Sequence, residues 1–290
     1  MKILAGITLF EPDIKRLDEN LKAILAQVDK VVCIENGSKN VEVIEKFINE
    51  KYPDVVLIKN QSNQGVAKAL NQIFSYGKNQ GYEWILTLDQ DSVSPSGMIE
   101  EYMHVLEKAA KENIRVGIVS PLIVDRNFDI EKVNCEKVNA NRYEVIDKCI
   151  TSASLTSVKV WEEVGKFWEY LFIDFVDHDF CAKCQKAQII ILQANRVQLL
   201  HELGNGVHHK FLGRRVTALN HSAFRKYFMV RNWLIYMHVH KNVIDYKSVR
   251  NSYCFFYLKT LLFEKQKIKK MQQMLKGRKD GKEFIKKMAK

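Results

Sequence analysis

The first 121 residues alternate between apolar runs and segments with helical spacing, and this alternation limits the possible folds more than any other feature. The apolar runs are 2–10, 30–36, 54–58, 84–88 and 115–121, and the segments between them are 14–27, 43–48, 65–79 and 96–111. Strands separated by helices of this length predict parallel β-α-β units with right-handed crossovers. The sequence therefore predicts an α/β fold with a mostly parallel central sheet flanked by helices.

Polar residues follow four of these predicted strands. They are Thr8, Glu35 with Asn36, the stretch 60–63, and Asp89 with Asp91. Ligands of open α/β sheets bind beyond the carboxyl ends of the strands. We therefore expect these four groups to share one binding edge.

The pattern is weaker after residue 125. The predicted elements there are a strand at 143–151, a helix at 156–164, an acidic segment that becomes helical at 172–187, strands at 189–192 and 197–200, a loop at 201–210, helices at 214–240 and 246–263, and a basic helix at the end. Cys181 and Cys184 have metal-ligand spacing, but no second pair completes a zinc site. Six free thiols in a reducing cytosol are the simplest interpretation of the cysteines.

The excess positive charge belongs to the last 50 residues. The 290-residue chain has 45 basic and 34 acidic residues, a net charge of +11, and residues 241–290 contain 15 basic and four acidic residues, also +11. Residues 1–240 are therefore neutral. With Ile268, Met271, Met274 and Leu275 on one helical stripe, the basic segment suits an anionic membrane surface. A solvated helix and a dimer contact are the alternatives, and no motif for reading nucleic acid accompanies the charge.

The hydropathy pattern predicts neither a leader nor a membrane-spanning helix. The initial apolar run, Ile3 to Phe10, is followed at once by Glu11-Pro12-Asp13, which favours a buried strand. The longest later candidate, 252–263, is shorter than the roughly 20 apolar residues that span a bilayer.

The stretch LTLDQDSV, residues 86–93, ends a strand on two carboxylates that point the same way. An Asp-x-Asp phosphatase nucleophile closes the first strand of its fold, whereas this pair closes the fourth. A calcium loop needs Gly where Ser94 stands. Two interpretations stay open: a strand that ends in a solvated acidic turn, or a divalent cation, Mn²⁺ or Mg²⁺, bound by Asp91 together with a nucleoside diphosphate, while Asp89 contacts the ribose hydroxyls.

The ordered set of motifs resembles the GT-A fold, family 2 glycosyltransferases. The set is Thr8, Glu35-Asn36-Gly37-Ser38, Asn63-Gln64-Gly65 and Asp89-Gln90-Asp91-Ser92. Residues 172–181, His201 and residues 221–232 resemble the bacterial rhamnosyltransferase branch of that family. The resemblance covers about residues 2–240. It implies a donor-binding half at 1–125, an acceptor-binding half at 126–240 and a basic helical extension at 241–290.

The resemblance also implies roles for individual residues. Asp177 is the general base, and a structural alternative is that Asp177 or Asp179 caps a helix. His201 belongs to the metal or diphosphate site, although a histidine after a strand often only bonds the backbone. The donor-binding residues are Thr8, Glu35, Asn36, Ser38, Asn63, Lys68, Asp89 and Arg231, the last at the leaving diphosphate. Ser152 and Ser154 match a segment near the acceptor.

The expected activity is an inverting transfer of L-rhamnose from dTDP-rhamnose to a lipid-linked surface polysaccharide precursor. The enzyme would act at the cytoplasmic face of a bacterial membrane, held by residues 241–290, and it could form a homodimer. A UDP-hexose or galactofuranose donor on the same fold is the first alternative. A basic peripheral-membrane or nucleic-acid-binding protein with structural carboxylates is an alternative of another class.

Overall fold

The computed structural model describes residues 1–125, 141–201, 207–211 and 214–288. The side chains of residues 125, 201, 207–211 and 214–215 lie outside this description. The strands are β1 (Ile3–Leu9), β2 (Lys30–Glu35), β3 (Val56–Lys59), β4 (Trp84–Asp89), β5 (Val116–Asp125), β6 (Tyr143–Ile146), β7 (Ser154–Ser157), β8 (Ile190–His201), β9 (Val207–Phe211) and β10 (Arg214–Ala218). The helices are α1 (Ile14–Leu25), α2 (Val41–Lys51), α3 (Val66–Asn79), α4 (Met98–Lys111), α5 (Val158–Glu163), α6 (Val176–Lys186), α7 (Ala223–Val239), α8 (Tyr246–Phe263) and α9 (Lys267–Met288).

Eight strands form one sheet in the order β3-β2-β1-β4-β7-β5-β8-β6. The first four in this order are parallel, and β7 runs antiparallel between β4 and β5. The carboxyl ends of β1, β2, β3 and β4 therefore meet at one edge. Because β7 is antiparallel, the loop that enters it reaches the same edge. The predicted α/β class is confirmed, with apolar clusters on both faces of the sheet.

The order of elements in the first half is confirmed, and local chemistry explains their ends. The Asp13 side chain accepts a hydrogen bond from the Arg16 amide and caps α1. At the start of α3, Gly65 has φ +84° and lies against Phe172, where an added Cβ would be 2.6 Å from that ring. Gly is required there because neither the conformation nor the space admits a side chain.

Four predictions for the second half were wrong in detail. The strand predicted at 143–151 ends at Ile146, and residues 154–157, partly assigned to a helix, form β7. The two strands predicted at 189–192 and 197–200 are one strand, β8. Its polar middle misled the prediction, because Asn195 is fully buried and donates to the Asn141 carbonyl at 2.8 Å. Residues 214–218 are a strand paired with β9 and not the start of a helix.

The last three helices pack together. Val230 and Met237 of α7 share an apolar cluster with Tyr253 and Phe256 of α8 and Met274 of α9. Two glycines, Gly277 and Gly281, bring α9 against the backbone of α7, since a Cβ on Gly277 would be 2.4 Å from the Tyr227 carbonyl oxygen. The helical extension is confirmed, and it is built onto α7.

The predicted apolar stripe of α9 is divided between two faces. Met274 is buried and Met271 is partly buried, whereas the side chains of Ile268 and Leu275 are 78% and 55% exposed. The heptad-like spacing placed all four on one side, but α9 rests on α7 through Gly277 and Gly281, which turns two of them outward. In the part of the chain that the structure describes, no helix is long and apolar enough to cross a bilayer.

Candidate active site

A cavity of about 890 Å³ lies between the carboxyl edge of the sheet and the helices α6, α7 and α8. Its sheet side includes Thr8, Asn36, Asn63, Asp89 and Asp91. Its other side includes Asp174, Asp177 and Arg225 with a group of aromatic side chains, Phe172, Phe175, Trp233 and Tyr236. A polar wall thus faces a wall of charged and aromatic side chains across a volume typical of small-molecule sites.

The Asp89–Asp91 turn is fixed by its backbone neighbours. Asp89 pairs in register with Thr8 on the adjacent strand, and its carbonyl accepts from the Asn20 side chain at 2.7 Å. The Gln90 side-chain oxygen accepts from the Phe10 amide at 2.8 Å. Arg16 donates to the Asp91 carbonyl at 3.1 Å. These contacts use the backbone and Gln90, so they fix the turn while the Asp91 side chain remains exposed at the cavity.

Asp91 suits a hard divalent cation. No group of three or more His, Cys, Asp or Glu residues within the described ranges is arranged to hold a metal ion. Mg²⁺ is commonly bound through one or two carboxylates and the phosphates of a substrate, without a protein cage. A single exposed carboxylate at the edge of a nucleotide-sized cavity fits that mode of binding, in which the diphosphate supplies further oxygen ligands.

Asn36 and Asn63 organise the next part of the edge. The buried Asn36 amide donates to the Asn63 side-chain oxygen and the Gly65 carbonyl, each at 3.2 Å, and its own oxygen accepts from the Gln64 amide at 3.0 Å. Asn63 in turn accepts from the Gly65 amide at 2.9 Å. The two side chains join the end of β2 to the start of α3 and present a rigid polar wall.

Four predicted donor residues lie outside the cavity lining. The Glu35 carboxylate is fully buried and accepts from the Ser38 amide at 2.6 Å, and the Ser38 hydroxyl accepts from the Glu11 amide at 2.8 Å. Lys68 pairs with Glu169 at 3.2 Å on a separate surface pocket of about 470 Å³. Arg231, the fourth, donates to the Tyr170 carbonyl. The structure gives each of these residues a local partner, and their direct contact with a donor stays a prediction.

The segment before α6 is strained. Phe172, Asp174 and Phe175 all have positive φ values, 65°, 62° and 66°. Non-glycine residues adopt this conformation rarely and at a cost of about 1–3 kcal/mol each, and such strain clusters at functional sites. The segment carries Asp177 into the first turn of α6, where its carboxylate accepts from the His178 amide at 2.8 Å. Half-buried Asp177 faces the cavity from that turn.

Arg231 and Asn232 hold this strained segment in place. The Asn232 amide donates to the carbonyls of Leu171 and Ile173 at 2.8 Å and of Asp174 at 3.0 Å. The Arg231 guanidinium donates to the Tyr170 carbonyl at 2.6 Å and stacks on the Tyr170 and Phe228 rings. Arg231 therefore supports the shape of the site from behind.

Arg225, like Lys148, is a cation of the cavity lining that the sequence prediction missed. It lines the cavity, and its guanidinium bonds the Asp174 carboxylate at 2.9–3.1 Å. Burial raises the pKa of Asp174, and the opposing charge of Arg225 counteracts that rise. Arg225 lies one turn after Ser222, whose hydroxyl caps α7, and this capping serine could have marked it as a residue at the exposed end of the helix.

Ser152 and Ser154 are buried behind the cavity edge. The Ser152 and Ser92 hydroxyls are 2.6 Å apart, and the Ser154 hydroxyl donates to the Ile150 carbonyl at 2.6 Å. The neighbouring Ile150 and Thr151 line the cavity instead. His201 is the last residue of β8, and its side chain lies outside the described part of the structure. Contacts of these three residues with ligands stay predictions.

The arrangement has the parts that a group transfer requires. One wall offers carboxylate and amide groups for a nucleotide and a cation, and the facing wall offers a carboxylate that can accept a proton. The aromatic side chains beside Asp177 provide an apolar surface on which the faces of a sugar ring can stack. These features are those expected of a group-transfer enzyme.

Comparisons with known proteins agree with this class. The family described as Glycosyl transferase family 2 matches residues 7–165. The chain is 28% identical over 297 residues to the dTDP-rhamnosyl transferase RfbF of Shigella flexneri, with 96% of this chain and 95% of that protein aligned.

Solved structures show the same fold. S. aureus TarS 1–349 superposes with a TM-score of 0.58 at 13% identity, covering 97% of this chain and 81% of that one. The mannosyltransferase PcManGT from Pyrobaculum calidifontis, in complex with GDP-Man and Mn²⁺, gives 0.57 at 14% identity over 95% and 72% of the two chains. The chain belongs to glycosyl transferase family 2 and has the GT-A fold; it is a glycosyltransferase.

Proposed function

We propose that this enzyme transfers L-rhamnose from dTDP-rhamnose to a lipid-linked surface polysaccharide precursor. The observation that carries the proposal is the placement of Asp91 and Asp177 on facing walls of one cavity. Full-length similarity to the dTDP-rhamnosyl transferase supports the choice of donor. Residues 1–125 would bind the donor, residues 126–240 the acceptor, and residues 241–290 an anionic membrane at its cytoplasmic face.

The chain's own residues account for most of the chemistry. Asp177 accepts the proton of the acceptor hydroxyl as that oxygen attacks the anomeric carbon, which contributes roughly 10²–10⁴-fold to the rate. Thr8, Asn36 and Asn63 position the nucleotide, and Asp89 and Asp91 lie at its ribose and diphosphate. A bound Mn²⁺ or Mg²⁺ would supply positive charge that stabilises the departing diphosphate. A single displacement inverts the anomeric centre.

Arg225 has a defined place in this proposal. It is half-buried at the cavity and held by Asp174, so its guanidinium is already oriented when a ligand arrives. A pre-oriented cation stabilises developing negative charge without reorganisation during the reaction. We assign to Arg225 the diphosphate contact that the sequence pattern had suggested for Arg231.

Thermal stabilisation by nucleotide sugars tests the donor site. We expect dTDP-rhamnose with Mn²⁺ to raise the melting temperature by several degrees, because a ligand at a hundred times its Kd adds ~2.7 kcal/mol. Asp91→Ala should lose this shift while keeping the unliganded melting temperature. Asp54→Ala, an exposed change in the loop before β3, is the matched control and should shift like the wild type.

The panel separates the alternatives. A shift with UDP-hexoses or a galactofuranose donor, and none with dTDP-rhamnose, would support the fold and the donor site but show that the proposed donor sugar is wrong. A folded protein that no nucleotide stabilises would refute the donor site and favour a basic membrane-binding or nucleic-acid-binding protein with structural carboxylates.

A further inference from the structure

Helix α8 has one face in the core and another exposed apolar face. Tyr253, Phe256 and Thr260 are at most 8% exposed and pack within the C-terminal helices. On the other side, the side chains of Phe255, Leu258 and Leu262 are 43%, 44% and 41% exposed. Their spacing of three, four and seven residues places them in one row. Three adjacent large apolar side chains on a polar surface mark an interaction site.

This exposed row continues one wall of the cavity. Ser248 and Ser252 of α8 line the cavity, and Phe255 follows one turn later on the same side of the helix. From Ser252 to Leu262 the helix advances about 15 Å. The apolar row therefore begins beside residues of α8 that line the cavity and leads away from them along the helix.

The charge around the row is positive. Residues 241–290 carry a net charge of +11, and exposed Lys265, Lys267 and Lys269 follow the row directly. Ile268, which lies among these lysines, is 78% exposed. Apolar side chains flanked by lysines suit an anionic lipid surface, where the former enter the acyl boundary and the latter meet the headgroups. A second copy of this chain would bring like charges together, which opposes association.

We propose that the row Phe255, Leu258 and Leu262 of α8, with Ile268, docks onto an anionic bilayer and sets the cavity mouth at the lipid surface. The inference rests on the proposed lipid-linked acceptor and deepens it, because the docked helix leads the acceptor headgroup from the bilayer into the cavity past Ser252. The proposed bilayer contact keeps Ile268 of the stripe expected on α9 and adds the exposed row of α8.

Flotation with lipid vesicles tests the row. Wild-type protein should float with vesicles of phosphatidylglycerol and phosphatidylcholine and should not float with phosphatidylcholine alone. Leu258→Ser/Leu262→Ser should weaken binding to the anionic vesicles by about tenfold or more. The matched control is Val43→Ser/Val145→Ser, which removes two exposed valines from α2 and β6 and should bind like the wild type.

Folding and the donor site are followed separately. Both double variants should keep the wild-type melting temperature and the shift with dTDP-rhamnose and Mn²⁺. A failure of the donor site would therefore show in that shift and not in flotation.

A further variant, Lys265→Glu/Lys269→Glu, should reduce vesicle binding and the dependence of that binding on salt. Unchanged flotation of Leu258→Ser/Leu262→Ser would overturn the proposal. The proposal would also be overturned if the wild type did not bind anionic vesicles but formed a dimer that this variant abolishes.

Discussion

At the scale of single residues, Asp177 occupies the position of a proton acceptor because of the backbone before it. The positive φ values of Asp174 and Phe175 turn the chain sharply into α6, and the first turn of that helix then faces the cavity. Asn232 fixes this conformation through three carbonyl groups. The position of the carboxylate thus depends on contacts between segments that are 58–61 residues apart.

Asp177→Asn should separate binding from chemistry. An amide cannot accept the proton, so kcat should fall by about 10²–10⁴-fold. The thermal shift with dTDP-rhamnose and Mn²⁺ should persist, because the donor wall is unchanged. Asp147→Asn, an exposed change directly after β6, serves as the control and should retain full activity. If Asp177→Asn lost the thermal shift together with the activity, this residue would support the site only structurally.

His221 predicts a pH dependence of stability. Burial, together with the charge of Arg225, lowers the pKa of His221 from 6.5 to about 4. Between these values the unfolded chain binds a proton that the folded chain does not, so stability should fall as the pH falls through this window. Because solvent screens the partly exposed ring, we expect a loss on the order of 1–2 kcal/mol. His221→Gln should remove that component in urea titrations at several pH values. His104→Gln, a change of a half-exposed side chain on α4, is the control; a slope in His221→Gln equal to that of the wild type would contradict the assignment.

At the scale of elements, a buried charge cluster joins the last three helices. Lys226 of α7 and Lys270 of α9 donate to the Glu264 carboxylate at 2.5 and 2.8 Å, and all three side chains are at most 4% exposed. Thr260 of α8 also accepts from Lys226 at 3.0 Å. Buried ions require this degree of pairing because their desolvation is unfavourable.

Glu264→Gln should strongly destabilise these helices. The variant leaves two buried ammonium groups without a counter-charge, and removal of one partner from a buried pair costs about 3–5 kcal/mol. Chemical denaturation measures the loss. Glu283→Gln breaks an exposed pair with Lys279 on α9 and should change stability by less than about 0.5 kcal/mol. Similar values for both variants would mean that the cluster does not stabilise the fold.

At the scale of the whole molecule, the basic extension is part of the folded body. Its helices α8 and α9 bury Val230 and Met237 of α7, and α7 in turn supplies Arg225 and Asn232 to the site. The region from residue 223 onward thus connects the cavity with the C-terminal surface. We therefore expect a substitution in the extension that displaces α7 to affect the active site as well.

Deletion of residues 241–290 should damage the fold as well as any membrane contact. Val230 and Met237 would lose their apolar cover, and each fully exposed side chain loses about 1.5–3 kcal/mol of burial free energy. We expect a lower melting temperature and aggregation in sedimentation experiments. A truncated protein that melts like the full chain and still responds to dTDP-rhamnose would show that the extension is an independent appendage.

The sequence alone predicted the order of elements in the first half, the family and the binding edge. Strand and helix periodicities arise from local geometry, and the parallel arrangement brings the ends of β1, β2 and β4 together whatever the details of packing. Thr8, Asn36, Asn63, Asp89 and Asp91 could therefore be placed on one edge by pattern alone. The same logic failed for β7, the middle of β8 and β10. These short or polar sequences form strands because neighbouring strands pair with them and because buried Asn195 donates to the Asn141 carbonyl.

Only the tertiary structure decided how the charged residues are used. The fold gives Glu35 and Arg231 the Ser38 amide and the Tyr170 carbonyl as local partners, and their contact with a donor stays a prediction, while Arg225 takes a place on the cavity wall. The apolar residues of α9 were likewise assigned to one stripe, and close packing through Gly277 turned part of it inward. Periodicity shows which side of a helix or strand a residue occupies. Which residue it contacts on that side depends on long-range packing, and a local sequence pattern does not contain that information.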